Sequence, residues 1–187
     1  MHMWPVLALL LAAPAMAQQQ RPAPPATPAQ APAAPEAERS TASFGDWTVR
    51  CERIPGPPPR RQCEMTQAVQ AQQGGGQAQA VAQWAIGRLA PNEPFRFVAV
   101  LPVNVSFGMP VRVTAEGEPP LTLAFTRCVP VGCFAEVSLS ADALRRLRAR
   151  AAEASGRVEF RDSGDRELGL PVSFRGFAQA LAALEGS

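Results

Sequence analysis

The stretch Phe44-Gly45-Asp46-Trp47-Thr48-Val49-Arg50-Cys51 decides the fold. Its apolar residues Trp47, Val49 and Cys51 alternate with Asp46, Thr48 and Arg50. Successive side chains of a strand point to opposite faces, so this alternation predicts a strand with one face buried. The same period recurs along the chain. Cys63 and Met65 alternate with Gln62 and Glu64, and Ala82, Trp84 and Ile86 enclose Gln83 and Ala85. Phe95, Phe97, Ala99 and Leu101 form another row, and Cys133, Ala135, Val137 and Leu139 a further one. Shorter runs lie at 111–114 and 121–126. Val158 and Phe160, then Leu168, Leu170 and Val172, predict a hairpin turning at Ser163-Gly164. Strands this short, broken by Pro and Gly, predict a mostly β fold, with antiparallel sheets arranged as a sandwich or barrel. Trp47 and Trp84 alternate with polar neighbours and are expected in the core, not on a sugar-stacking surface.

Two short helices interrupt the strands, one after the fourth cysteine and one at the C-terminus. Ser140 is placed to cap a helix from Ala141 to about Ala152, with Asp142 favourable in its first turn. Leu144, Leu147 and Ala151 fall on one face, Arg145, Arg146 and Arg150 point largely away, and Arg148 flanks the stripe. Ser173 is placed to cap a second helix ending near Leu184, with Phe177, Leu181 and Leu184 on one face. Both stripes are read as core contacts.

The N-terminus has a different composition. Val6 to Ala13 is an apolar run too short to span a bilayer, followed by Ala15-Met16-Ala17, a small-x-small cleavage pattern. Residues 1–17 are therefore read as a signal peptide, although its first residues lack Lys and Arg. No Cys lies near the cleavage point, which argues against a lipid anchor. Residues 18–42 are rich in Pro, Ala and Gln, too poor in large apolar side chains to offset their ordering entropy, and are read as a disordered linker. The folded domain is expected over 43–185. No later segment is long and apolar enough for a transmembrane helix. The reading is an exported protein of the periplasm, the outer membrane surface or the exterior.

Composition removes several chemistries. The single histidine, His2, leaves with the signal peptide, there is no tyrosine, and all 18 Lys+Arg residues are arginine. The remaining chain has no imidazole base, no Ser-His or Cys-His pair and no lysine for a Schiff base. A net charge of +2 is too small to imply nucleic acid. Cys51, Cys63, Cys128 and Cys133 are even in number on an exported chain, which favours disulfides. Three pairings are open to four cysteines. The locality of each pair favours Cys51–Cys63 and Cys128–Cys133, the first closing a loop that contributes about 3 kcal/mol and the second, shorter loop less. Zinc is disfavoured because eleven residues separate Cys51 from Cys63, and a redox Cys-x-x-Cys is absent. Gly74-Gly75-Gly76 lacks a following helix signal or lysine, so it is a loop tip and no phosphate cradle.

Three ordered motifs carry a resemblance. Phe44-Gly45-Asp46-Trp47 with Arg50-Cys51 and Cys63-Glu64-Met65, then Arg127-Cys128 to Cys133-Phe134-Ala135-Glu136, then Leu170-Pro171-Val172-Ser173-Phe174-Arg175-Gly176-Phe177-Ala178, together resemble the invasion-associated locus B family. The match covers Phe44 to Leu184. It implies an exported protein, periplasmic or outer-membrane associated, in a family some of whose members are linked to host-cell invasion. It brings no catalytic residues to carry over. The chain departs from the pattern in its Pro-rich loop after Ile54, its Gly-rich loop and its lack of lysine.

Carboxylates are the remaining acid–base groups. Glu116 and Glu118 precede Pro119-Pro120, and Asp162 and Asp165 flank Ser163-Gly164. A glycosidase needs two carboxylates about 5 Å or about 6.5–9.5 Å apart across a cleft, and both pairs fit solvated turns better. Calcium at Asp162 and Asp165 lacks the oxygen-rich loop pattern. The chain is thus read as a non-enzyme without cofactor or metal. It is expected to bind an envelope or host component, a protein or an anionic glycan or lipid, through loops and the basic face of Arg145, Arg146 and Arg150. The alternative is a periplasmic chaperone or assembly factor acting by strand addition, with a carboxylate hydrolase third.

Overall fold

The computed structural model describes residues 38–71 and 77–187. The segment read as a signal peptide, most of the segment read as linker, and Gly74-Gly75-Gly76 lie outside the described residues. Ten strands are described: β1 (Arg39–Phe44), β2 (Trp47–Ile54), β3 (Arg60–Ala71), β4 (Gln79–Gly87), β5 (Arg96–Leu101), β6 (Val111–Ala115), β7 (Leu121–Val129), β8 (Gly132–Ser138), β9 (Ser155–Arg161) and β10 (Glu167–Ser173). Helix α1 (Ala141–Arg148) follows β8 and α2 (Phe177–Glu185) follows β10. All strand pairs are antiparallel, in one sheet of order β1-β2-β3-β4-β5-β8-β7-β6-β9-β10. The first five strands meander. The chain then jumps to β6 and returns through β7 and β8 to fill the gap beside β5, and β9 and β10 add outside β6.

The period-two rows are the buried face. Trp47, Met65, Trp84, Ile86, Phe97 and Leu101 from the first half pack with Val111, Leu123, Val158 and Val172 from the second. The β9–β10 hairpin also forms as the sequence predicts, although Leu168 is exposed. Three readings are corrected. Strand β1 opens at Arg39, inside the segment read as linker, because Ser40, Thr41 and Ser43 pair with β2 while staying exposed, leaving no apolar alternation to detect. Helix α1 is capped by Ser140, whose Oγ accepts the Ala143 N–H at 3.1 Å, but it ends at Arg148; Ala143 and Leu147 are buried and Ala151 is not in the helix. Ser173 does not cap α2. It ends β10, and Gly176, at φ +81°, precedes the helix.

The sheet curls so that β10 lies opposite β2, β3 and β4, and side chains close it. The Trp84 Nε1 donates to the Pro171 carbonyl at 2.9 Å and the Trp47 Nε1 to the Ser173 carbonyl at 2.8 Å. The Gln67 amide accepts the Ser173 N–H at 3.0 Å and donates to its carbonyl at 3.4 Å. The two tryptophans and buried Gln67 thereby satisfy main-chain groups that would otherwise be orphaned at a sheet edge. Beside them the β1–β2 turn interlocks with the β10–α2 turn. Asp46 accepts from Ser173 Oγ at 2.7 Å and forms an ion pair with Arg175, and its own N–H donates to the Arg175 carbonyl at 3.0 Å. Gly45 (φ +56°) and Gly176 (φ +81°) make the crossing possible: a Cβ on Gly45 would meet the Arg175 carbonyl, and one on Gly176 the Phe44 carbonyl. Phe177 then seats on Trp47, ring centroids 5.2 Å apart, edge to face.

Both disulfides are cross-strand. Cys51 bonds Cys63, directly opposite in the β2–β3 register, and Cys128 bonds Cys133 across β7–β8. The second pairing depends on a bulge between Phe125 and Arg127, which shifts the register so that Cys128 faces Cys133. The two bonds staple opposite ends of the strands. Glu64, next to Cys63, is in register with Gly87 and so with Arg96 at the start of β5, whereas Cys133 faces Leu101 at its end.

Two outcomes test the interlock. Gly176→Ala is expected to cost about 2 kcal/mol or more in chemical denaturation, from backbone strain and the clash with Phe44. Hydrogen bonds from Arg175 and Ser173 hold the Asp46 carboxyl below its ordinary value of 3.8. That stabilisation is fully present above the unfolded value and is lost as pH falls through the lower, folded one. Asp46→Asn is therefore expected to lower Tm at neutral pH, with the gap to the unaltered chain closing below pH 3.8. A gap that persists undiminished to roughly pH 2 contradicts the assignment.

Candidate functional site

The α1 arginines are engaged within the chain. Arg145 pairs with Asp142 at 2.6 Å, Arg146 with Glu118 at 2.8 Å, and Arg148 with Glu185. Arg150 does not point away from the core as helical spacing predicts. Because α1 ends at Arg148, Arg150 lies in the following turn with its side chain 17% exposed. It donates to the Glu116 carbonyl at 2.6 Å, approaches Glu118 at 3.8 Å and lies over the Phe174 ring at 5.7 Å. Arg145 remains the outward member, 71% exposed.

The carboxylates have structural partners too. Glu118 receives both Arg146 and Arg150. Buried Asp162 accepts the backbone N–H groups of Gly164 at 2.9 Å and Arg166 at 3.0 Å, and pairs with the Arg166 guanidinium at 2.6 Å. These bonds, the Arg166 side chain first, hold its carboxyl below the ordinary range. Asp165 pairs instead with Arg161 at 3.0 Å. Asp162 thus organises the β9–β10 turn, and Glu118, Asp162 and Asp165 each have an arginine partner.

The outer face of β3, β4, β5, β8 and β7 is concave. A depression of about 340 Å³ is lined by Gln62, Glu64, Gln83, Ala85, Arg88, Arg96, Val98, Val100, Arg127, Phe134 and Glu136 among others. Its floor is apolar (Ala85, Val98, Val100 and Phe134) and its rim is amide, guanidinium and carboxylate. The β7 bulge that aligns the cysteines also sets Arg127 opposite Phe134, and the guanidinium lies 4.3 Å over that ring. Arg88 lies over Phe95 at 4.8 Å and donates to the Pro91 carbonyl at 3.1 Å. Arg96 is held loosely, at 3.4 Å from Glu93 and 3.8 Å from Glu136, and its Nε is buried without a hydrogen-bond partner. Its contacts are long for charge-assisted hydrogen bonds, so it retains donor capacity for an incoming acceptor.

Sequence reading missed this face. The signal was present in β5, where Phe97, Ala99 and Leu101 fill the core while Val98 and Val100 are apolar on the opposite side. A strand apolar on both faces is covered by something or presents a patch to a partner.

A protein-family model described as Invasion associated locus B (IalB) protein matches residues 47–185. The crystal structure of invasion associated protein B from Bartonella henselae is similar with a TM-score of 0.61 and 22% identity, over 79% of this chain and 96% of that one. At that identity the likeness is one of fold. No curated protein matches the chain.

The division between engaged and outward arginines is measurable. Glu118→Gln, which strips Arg146 and Arg150 of their shared carboxylate, is expected to lower unfolding free energy by about 1 kcal/mol. Arg145→Ala should stay within about 0.5 kcal/mol of the unaltered chain. The reverse order in urea unfolding would mean that α1 is anchored elsewhere.

Proposed function

The chain belongs to the invasion associated locus B family, and from that premise we propose that it is an exported, non-catalytic binding protein of the cell envelope that holds an acidic glycan on the concave outer face of its sheet. The observation that carries this reading is the depression over β3, β4, β5, β8 and β7, with Arg96 loosely held at 3.4 and 3.8 Å beside an apolar floor. Sugars present hydroxyls and carboxylates at their edges and apolar C–H surfaces on their faces. A shallow site with Gln62 and Gln83 amides, Arg88, Arg96 and Arg127 guanidinia and the valines of β5 meets both needs. The cross-strand disulfides, one joining β2 to β3 and the other β7 to β8, support a preorganised surface, which lowers the ordering cost of binding.

On this reading Arg146 and Arg150 serve α1, and Arg145 contributes at most a peripheral charge. Strand addition, which a chaperone or assembly factor would use, has little room at β10, because Trp84, Trp47 and Gln67 occupy its Pro171 and Ser173 main-chain groups. Strand β1 is the sheet's other edge.

Calorimetric titration with polygalacturonate as the acidic glycan and dextran as the neutral one tests the site. Binding to the acidic polymer is expected to weaken about tenfold with Arg96→Ala or Arg127→Ala, as for loss of a charged hydrogen bond, and to be little changed by Arg145→Ala. No binding to polygalacturonate, or equal loss with Arg145→Ala, would overturn the assignment.

A further inference from the structure

The apolar side chains left exposed are not scattered. Among the described residues the exposed large hydrophobics are Leu89, Val103, Phe107, Met109, Val129, Val131 and Leu168, and five of these seven lie on the β5–β6 loop or at the β7–β8 turn. The two segments meet at one end of the sheet. Leu101 faces Cys133 at the end of the β5–β8 ladder, so the loop that carries Val103 and the turn that carries Val131 leave from neighbouring positions. The backbones are close there, since a Cβ on Gly132 would lie 2.7 Å from the Leu101 carbonyl. Val111, at the far end of the same loop, pairs with Leu123, and the Phe107 ring meets that of Phe125 at 4.8 Å.

The rim is fixed. The Cys128–Cys133 bond closes the β7–β8 turn. The loop is pinned by buried Val105, bridged to Asp162, with the Ser106 N–H donating to the Arg161 carbonyl and the Ser163 N–H to the Asn104 carbonyl, both at 2.8 Å. Val105 thus points in while Val103 and Phe107 point out. Exposed apolar patches on rigid loops mark contact sites.

Charge and shape identify the contact. From Phe97 to Val111 there is no charged residue, and none from Cys128 to Ala135. The first charges behind these stretches on β6 and β7 are Arg112 and Arg127, both cationic. In the adjoining β9–β10 turn Asp162 and Asp165 are neutralised by Arg166 and Arg161. The rim projects from loop tips and is not part of the concave depression. A protruding apolar tip backed by arginine, with no unpaired carboxylate on its own loops, suits a fluid interface with anionic headgroups above hydrocarbon.

We propose that this end of the sheet is a peripheral membrane-docking surface, with Val103, Phe107, Met109, Val129 and Val131 entering the headgroup region of an anionic lipid bilayer and Arg127 and Arg112 meeting its phosphates. Its apolar residues are not those of the glycan-binding face, and Arg127 alone borders both.

The test is co-sedimentation of the chain, as purified from cells, with vesicles of phosphatidylethanolamine and phosphatidylglycerol, and separately of phosphatidylcholine. Comparing variants in one background makes any contribution of the N-terminal segment common to all. Val131→Asp and Phe107→Asp are each expected to weaken binding to the anionic vesicles about tenfold or more, the scale of one buried apolar side chain. Leu168→Asp, an exposed apolar position on β10, should leave it unchanged, and Val131→Leu should retain it. Val131 and Phe107 are 82% and 61% exposed, so the Asp variants should keep the melting temperature of the parent, which a thermal scan verifies. Vesicle binding equal in all variants, or absent in the parent, overturns the proposal. So does a parent dimer in sedimentation velocity that Val131→Asp converts to monomer without any vesicle binding, since the rim is then an interface between copies. Loss of vesicle binding with intact polygalacturonate binding separates this surface from the glycan site.

Discussion

The structure depends on how an open antiparallel sheet is closed without a final ladder. Strands β1 and β10 are the two edges, and no pairing joins them. Closure is made instead by Trp47, Gln67 and Trp84 reaching the backbone of β10, and by the crossing of the Asp46 turn with the Arg175 turn. A main-chain ladder would have constrained the curl of the sheet to one stagger. Side-chain donors on β2, β3 and β4 reach β10 without a ladder, and Phe177 of α2 packs on Trp47 beside them. The cost is sequence specificity: indole N–H groups, an amide that pairs with both main-chain groups of one residue, and two glycines with positive φ are all required in one place. The first and third sequence motifs are therefore one spatial feature, although more than a hundred residues separate Asp46 from Ser173.

Covalent and packing constraints reinforce that closure unevenly. Cys51–Cys63 lies within the buried face, both residues belonging to the core, so it adds to packing as well as restricting the unfolded chain. Cys128–Cys133 closes a much shorter loop, and its effect on unfolded-chain entropy is smaller. Its structural consequence is local: together with the Phe125/Arg127 bulge it fixes where Arg127, Val129 and Val131 stand. One irregularity in one ladder thereby serves both the concave face, through Arg127 over Phe134, and the apolar end of the sheet.

The core was legible and the site was not, for reasons rooted in what periodicity measures. Rows such as Trp47-Val49-Cys51 and Phe97-Ala99-Leu101 announce strands because burial alternates with exposure, and the core contains those residues. Strand β1 was invisible because only Phe44, at its end, packs against the core, and the rest is a strand through its hydrogen bonds to β2. The end of α1 was misplaced because the arginine row continues the helical spacing past the point where the backbone stops following it. The outer face escaped because it is assembled from residues far apart in sequence, Gln62, Gln83, Arg96, Arg127 and Glu136, that only the strand order brings together. A basic row within one helix is easy to see in a sequence, while a site spread over five strands has no linear signature.

The absence of lysine carries the same lesson into electrostatics. Guanidinium differs from ammonium in being planar, forked and weakly hydrated, so it pairs side-on with carboxylates and stacks on rings. The structure uses those properties repeatedly: Arg166 on Asp162, Arg175 on Asp46, Arg150 against Glu118 and Phe174, Arg127 over Phe134. Most of these arginines are architectural, and counting them overstates the basic surface. A guanidinium already fixed at 2.6–3.0 Å has little left to offer a ligand. Arg96, at 3.4 and 3.8 Å from its carboxylates and above an apolar floor, is in the opposite condition. A ligand oxygen that replaces a long internal contact with a short one gains the difference between them, and that difference is larger at Arg96 than at any α1 arginine whose pair is already short.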